Sequence, residues 1–170
     1  MNKYFMLFWV FISFSVSLSV QAGVPYAEKP SVPDEVASSY LASSIQKAEV
    51  PDAAVVNVPK YPDAKIISSF GGVKKENGSY KRLPYIELVS AGDYDQVVTF
   101  YKEKLAGWAI GGFNTAIYFA EKGSVNIFNP ESTHVGVHDI ANYYRENEQK
   151  DLQRIISGAK SLIKIYYTVK

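Results

Sequence analysis

The stretch GDYDQVVTFYKEKLAGW, residues 92–108, decides the fold because every local signal in it predicts one short amphipathic helix. Asp93 suits the N-cap position, and Gln96, three residues later, can complete a capping box. One apolar stripe runs along the helix, formed by Val97, Tyr101 and Leu105. Gly107 can adopt the left-handed conformation that ends a helix, and Trp108 then starts the next strand. We therefore expect these residues to be structural, with the stripe packed against a sheet.

The residues before this helix predict a β-hairpin. Segments 64–70 and 83–90 are rich in β-branched and aromatic residues, as strands are. Between them, residues 74–82 (KKENGSYKR) contain the pair Asn77-Gly78, which tolerates the positive φ angles of a tight hairpin turn. The two segments should therefore pair in antiparallel.

The residues after the helix predict further strands and one more helix. Residues 115–128 (TAIYFAEKGSVNIF) indicate a second hairpin that turns at 121–123, and residues 134–139 indicate a short strand. Residues 139–157 carry apolar side chains at helical spacing, and the last ten (SLIKIYYTVK) alternate as in a half-buried closing strand. The chain therefore predicts an α+β domain: an antiparallel sheet of about five or six strands, with helices packed on one face.

The N-terminal residues 1–22 predict a cleaved signal peptide. Lys3 supplies a positive charge, an apolar run follows from Tyr4 to Ile12, and Ala22 places a small residue at the expected cleavage position. The apolar run is about half of the ~20 residues that a membrane-spanning helix needs. We predict export to the periplasm or the extracellular space, with no transmembrane segment after the leader is removed.

The rest of the chain divides into two parts. Residues 23–58 are predicted to form an extended, mobile tail, a helix from about Pro33 to Lys47 and a linker broken by prolines. Residues 59–170 are predicted to form the α+β domain. The chain has no cysteine, and a domain of this size can be held together by its core without disulfides.

The charge balance argues against a nucleic-acid partner. Lys3 is the only charged residue of the leader, so the mature chain carries 17 basic and 17 acidic residues. A neutral chain has no global field that attracts nucleic acid or anionic membranes.

The order of these segments resembles a group of small exported bacterial domains of largely uncharacterised function. The first shared mark is a Tyr-Pro-x-Ala sequence, here Tyr61, Pro62 and Ala64, at the start of the domain. The second is a Val-x-x-Phe-Tyr-x-x-x-Leu helix followed by Trp, here Val97, Phe100, Tyr101, Leu105 and Trp108. The resemblance covers roughly residues 59–128 and implies a fold and an exported location, but no reaction. The chain departs from the group in its N-terminal helix and in residues 139–157.

No catalytic or metal-binding constellation is recognisable. His134 and His138 have a spacing that would suit zinc on a helix, but the intervening Val-Gly-Val favours a strand, on which they would stand about 13 Å apart. Glu131 and Asp139 are a possible carboxylate pair, but two acidic residues among 17 say little about catalysis. Serine chemistry requires a base and an oriented partner, and the nucleophile motif Gly-x-Ser-x-Gly is absent from the sequence. We predict no cofactor, no metal and no catalytic residues.

Two groups of residues suggest binding. The first is the tip of the predicted hairpin, which carries Lys74, Lys75, Tyr80, Lys81 and Arg82. This tip can contact an anionic partner, or it can be a solvated hairpin whose charges prevent aggregation of the strand edge. The second is tyrosine-rich and consists of Tyr143, Tyr144 and Tyr166. Tyrosine is enriched at recognition surfaces.

Three functional hypotheses follow. The leading one is a non-catalytic exported domain that binds a protein, a glycan or an envelope component. The second is a secreted factor, such as a type II secretion substrate or a virulence-associated protein, which would use the same leader. The third is a small hydrolase that uses His134 or His138.

Overall fold

The computed structural model describes residues 26–113, 115–123, 125 and 132–169. The predicted leader, Glu131 and most of the second arm of the 115–128 hairpin lie outside the described residues. The helices are a 3-10 turn at Asp34–Val36, then α1 Tyr40–Lys47, α2 Ala53–Val56, α3 Tyr94–Lys104, α4 Ile140–Tyr143 and α5 Glu146–Ile155. The strands are β1 Lys65–Phe70, β2 Val73–Lys74, β3 Tyr80–Arg82, β4 Tyr85–Ser90, β5 Ala109–Phe113, β6 Ala116–Ala120, β7 His134–Asp139 and β8 Ser161–Tyr166.

Six of these strands form one antiparallel sheet in the order β1-β4-β8-β7-β6-β5. The predicted pairing of segments 64–70 and 83–90 is confirmed, since β1 pairs with β4 from Lys65↔Val89 to Phe70↔Tyr85. The hairpin tip forms a separate two-stranded ribbon of β2 and β3. The α+β class and the strand count are therefore confirmed.

The helix of the opening stretch, α3, packs on one face of the sheet, as predicted. We call this face the first face. The capping box at Asp93 and Gln96 is present, and the backbone N–H of Asp93 donates to Gln96 Oε1 at 3.1 Å. Val97 and Tyr101 have no exposed surface, and Trp108 packs partly buried against the same core. Gly107 ends the helix with a φ of +88°. These side chains serve cohesion, together with Ile86, Val137, Ile163 and Ile165 from the strands below.

The helices occupy both faces of the sheet, whereas the sequence predicts one face. A second core cluster contains Ile45 of α1, Leu152 of α5, Val89 and Leu162. The alternation of a strand explains the division, because Leu162 and Ile163 point to opposite faces and both are completely buried.

The final strand is central rather than closing. β8 lies between β4 and β7, and helices cover part of each of its faces. The half-buried strand predicted from its alternation is wrong in this respect, because residues on both faces of β8 are buried.

Both long predicted helices are interrupted. The predicted 33–47 helix is a 3-10 turn followed by α1, which restarts where the Ser39 side chain accepts a hydrogen bond from the N–H of Ala42. The predicted 139–157 helix is α4 and α5, separated by the extended residues Tyr144 and Arg145. The Gln149 side chain stabilises this break by donating to the carbonyl of Tyr144 at 2.7 Å.

The segment before the first helical turn is attached to the sheet. Tyr26 and Ala27 are buried in the first-face core. The N–H of Ile66 in β1 donates to the carbonyl of Glu28 at 2.9 Å. This extended segment therefore runs beside β1 and contributes to the same core.

Candidate functional site

The strand register aligns aromatic side chains on the second face of the sheet. Phe70, Tyr85 and Tyr166 are direct cross-strand partners on β1, β4 and β8. Their neighbouring ring centroids are 5.3 Å apart in both pairs. Directly paired side chains stand on the same face of a sheet, so these rings form a continuous row.

An ion pair lies in the next row of the same face. Glu87 and Lys164 are cross-strand partners, and their side chains meet at 2.8 Å with only 14% and 17% of their surface exposed. The Lys164 Nζ atom also lies 4.0 Å from the centroid of the Tyr85 ring and 5.5 Å from that of Tyr166. Burial by itself lowers the pKa of Lys164, but the charge and hydrogen bond of Glu87 outweigh it and raise that pKa. Lys164 therefore keeps its positive charge at neutral pH.

Gly136 leaves room for two further rings beside this pair. It is the cross-strand neighbour of Lys164 on β7, and a Cβ atom there would stand 3.0 Å from Tyr118 Cε1 and 3.1 Å from His138 Nε2. The His138 ring contacts Tyr118 and Tyr143 edge to face, with centroids 5.4 and 4.7 Å away. Burial, followed by the charge of Lys164, lowers the pKa of His138 to about 4, so this imidazole is neutral.

A cleft of about 530 Å³ opens where α1 and α5 flank this part of the sheet. Its aromatic and acidic lining residues are Tyr40, Tyr85, Tyr143, Tyr144, Glu87, Glu148 and Asp151, and its small polar ones are Ser39, Ser44, Ser68 and Asn147. We call this hollow the tyrosine cleft. Burial raises the pKa of Tyr144, and the carboxylates of Glu87 and Glu148 raise it further because they disfavour a second negative charge. The volume lies within the range typical of small-molecule sites.

The structure brings together the three predicted tyrosines. Tyr143 and Tyr144 line the cleft with ring centroids 5.0 Å apart, and the Tyr166 ring lies 5.3 Å from that of Tyr85, which also lines the cleft. Tyr166 and the buried Tyr167, which are neighbours in the sequence, lie on opposite faces of the sheet.

The basic hairpin forms a separate surface. Lys74, Lys75, Lys81 and Arg82 are exposed on the β2–β3 ribbon and its turn, where Lys74 lies over the Tyr80 ring at 5.6 Å. Only Arg82 reaches toward the aromatic row, with its guanidinium 5.1 Å from the Phe70 ring centroid. The two predicted binding groups thus remain two surfaces.

Sequence reasoning missed Tyr85 and Glu87, which line the cleft, and Lys164, which contacts both of them from beneath. A usable signal exists in YIELVS and SLIKIY, where a single charge interrupts each apolar strand. Opposite charges at these positions favour direct cross-strand pairing.

The histidines have structural surroundings. His134 is buried, and its Nδ1 atom lies 3.2 Å from the carbonyl oxygen of Ser132. Asp139 caps α4 by accepting a hydrogen bond from the N–H of Ala141 at 2.9 Å. Within the described part of the chain, no group of three or more side chains is arranged to hold a metal ion.

A second hollow, of about 660 Å³, lies where the N-termini of α3 and α4 meet and includes Asp93, Asp139 and Lys160. Three of its charged groups already have partners, since Asp93 binds Lys160 at 2.7 Å and Asp139 caps α4. The tyrosine cleft is therefore the stronger candidate.

No protein-family model, curated protein or solved structure matches this chain. Of the helices in the described ranges, none has the length and apolar character needed to cross a membrane.

Proposed function

We propose that this protein is an exported, non-catalytic binding domain whose ligand occupies the tyrosine cleft. The observation that supports this proposal most is the Glu87–Lys164 pair. Glu87 lines an open hollow, and Lys164 lies against the ring of Tyr85, which lines the same hollow. Removing two charges from water costs several kcal/mol per ion before their attraction is counted. Such a pair stabilises a fold weakly for that cost, so its position beside a cleft supports a role in orienting a bound molecule.

The rings supply the binding energy in this proposal. Tyrosine presents a large apolar surface with few rotatable bonds and keeps a hydroxyl for hydrogen bonding. Tyr143 is 43% exposed, and Tyr40 at the rim is 86% exposed. Both side chains therefore have surface left for a ligand.

The test uses protein purified after expression of the full-length chain and screens it against envelope fractions and a glycan panel. We expect retention of at least one component and a loss of about tenfold or more in affinity for Tyr143→Ala, because truncated aromatic anchors dominate such interfaces. Tyr80→Ala, on the basic hairpin, is the matched control and should leave affinity unchanged. Retention that depends on Tyr80 and not on Tyr143 would move the site to the hairpin, and no retention at all would refute the proposal.

The export part of the proposal rests on the leader at residues 1–22. Fractionation of cells that express the full-length chain should place the protein in the periplasm or the medium, shortened by about the length of the leader. Accumulation in the medium alone would favour the secreted-factor hypothesis, and a full-length cytoplasmic product would contradict export.

A further inference from the structure

The charged groups of the tyrosine cleft have one sign. Its lining contains four tyrosines and three carboxylates, and no Lys, Arg or His. Lys164 lies beneath the floor and balances Glu87. Asp151 on α5 pairs with Arg154, which does not line the cleft, so Glu148 on the same helix is left to set the potential of the cleft.

The contacts of these two carboxylates leave acceptor capacity. Glu148 Oε2 accepts one backbone hydrogen bond, from the N–H of Arg145 at 2.9 Å. Asp151 Oδ1 lies 3.3 Å from a guanidinium nitrogen of Arg154, whose side chain is 54% exposed. A carboxylate offers about four lone-pair sites, so each of the two groups can accept a further hydrogen bond from a ligand.

The tyrosine rings favour the same kind of ligand. The face of an aromatic ring attracts cations, and this site already contains such a contact, between Lys164 and Tyr85 at 4.0 Å. The Tyr143 and Tyr144 rings meet at an interplanar angle of 78°, so together they present surfaces in two directions. Groups of aromatic rings recognise quaternary ammonium ligands in this way.

An anion would meet the opposite conditions. It would approach the Glu148 carboxylate with no basic lining residue to bind it, whereas the ammonium group of a ligand would bring a positive charge to that carboxylate. We propose that the tyrosine cleft binds a small organic cation through its ammonium group, an inference that rests on the proposed binding function of the same site.

The decisive experiment compares a cation with its uncharged twin. Choline and 3,3-dimethyl-1-butanol have nearly the same shape and differ in the charged nitrogen, and putrescine adds a primary-amine arm. Each is titrated into the purified protein by calorimetry and by NMR. We expect choline or putrescine to bind at least about tenfold more tightly than the uncharged alcohol, and the preference to decline as salt is added.

Charge-neutral variants locate the binding. Glu148→Gln keeps an oxygen that can accept the Arg145 hydrogen bond and removes the charge, so folding should be preserved while cation affinity declines several-fold. Glu146→Gln is the matched control, because it lies on the same helix, makes the same charge change and pairs with Lys150 outside the cleft. Its affinity should stay within about twofold of the original protein, as expected for an exposed charge.

The outcomes separate the two proposals. Binding of both choline and putrescine no tighter than that of the alcohol, or binding that Glu148→Gln and Tyr143→Ala leave unchanged, overturns the cation inference. Failure of both cations to bind, while Tyr143→Ala still abolishes retention of an envelope component or glycan, overturns the ligand class and leaves the binding function standing. Failure in both assays refutes both.

Discussion

At the scale of single residues, the Glu87–Lys164 pair shows how neighbours set the behaviour of a charge. Each group is largely buried, so each depends on the other for the stabilisation that water would otherwise supply. Lys160 and Asp93 meet at a similar distance, 2.7 Å, but both side chains are more than half exposed. Ion pairs of nearly the same length should therefore differ in energy.

Replacement of one member tests this difference. Lys164→Met should lower the free energy of unfolding by about 3 kcal/mol, since it leaves a buried carboxylate without a partner. The matched change Lys160→Met should cost less than about 1 kcal/mol, as is typical of surface pairs. Urea unfolding of the two variants measures both values, and similar losses would show that Glu87 remains hydrated.

His138 should make stability depend on pH. Its pKa is lowered from 6.5 to about 4 in the folded protein, so the unfolded chain binds the proton more readily between those values. The contribution of His138 to the free energy of unfolding is thus fully present above about pH 6.5. It declines as pH falls toward 4, by about 1 to 2 kcal/mol at pH 5. His138→Phe should remove this part of the slope in unfolding experiments at pH 7.5 and pH 5. An unchanged slope would mean that the imidazole titrates normally.

At the scale of elements, the sequence predicts well where the signals are local. The helix from Tyr94 to Lys104 has its cap, stripe and stop within one short segment, and all three are present. The break between α4 and α5 depends on Gln149 reaching back to the carbonyl of Tyr144. The spacing of apolar residues does not reveal such a contact, so the sequence predicts a single helix over residues 139–157.

The end of α3 offers a test of the backbone argument. Gly107 has a φ of +88° and open space around a Cβ atom, so Gly107→Ala meets only the cost of a left-handed conformation. We expect a loss of about 1 to 2 kcal/mol in unfolding free energy. Gly71 also has open space but lacks a positive φ, and Gly71→Ala should be nearly neutral. Equal effects of the two substitutions would contradict the assigned conformation.

At the scale of the whole molecule, the order of the strands cannot be predicted from local sequence patterns. The alternation in SLIKIYYTVK predicts a strand, but the placement of that strand between β4 and β7 depends on partners that are distant along the chain. The tyrosine cleft shares this origin, because Tyr85, Tyr143 and Tyr166 converge only once the order is set. The tyrosines were predicted as binding residues by composition, while the ion pair beneath them was missed.

The N-terminal segment is a whole-molecule feature as well. Tyr26 is 4% exposed in the core, although its proline-rich surroundings predict a mobile tail. Tyr26→Ala should therefore destabilise the protein by about 3 kcal/mol or more, as other aromatic truncations in cores do. Tyr40→Ala, at a side chain that is 86% exposed, should change stability by less than about 0.5 kcal/mol. Thermal and urea unfolding of both variants provide the comparison. If Tyr26→Ala left the stability unchanged, the packing of this segment in the core would be contradicted.

The central place of β8 has a consequence for the order of events during folding. Its neighbour β4 begins at Tyr85, whereas β8 begins at Ser161, so a long loop must close before the middle of the sheet exists. Until then β4 and β7 each lack a partner on one edge. The apolar residues of the two core clusters then have only part of the sheet to pack against. Folding that awaits such distant pairing is slow. A nascent chain will therefore stay open until its last strand has been made.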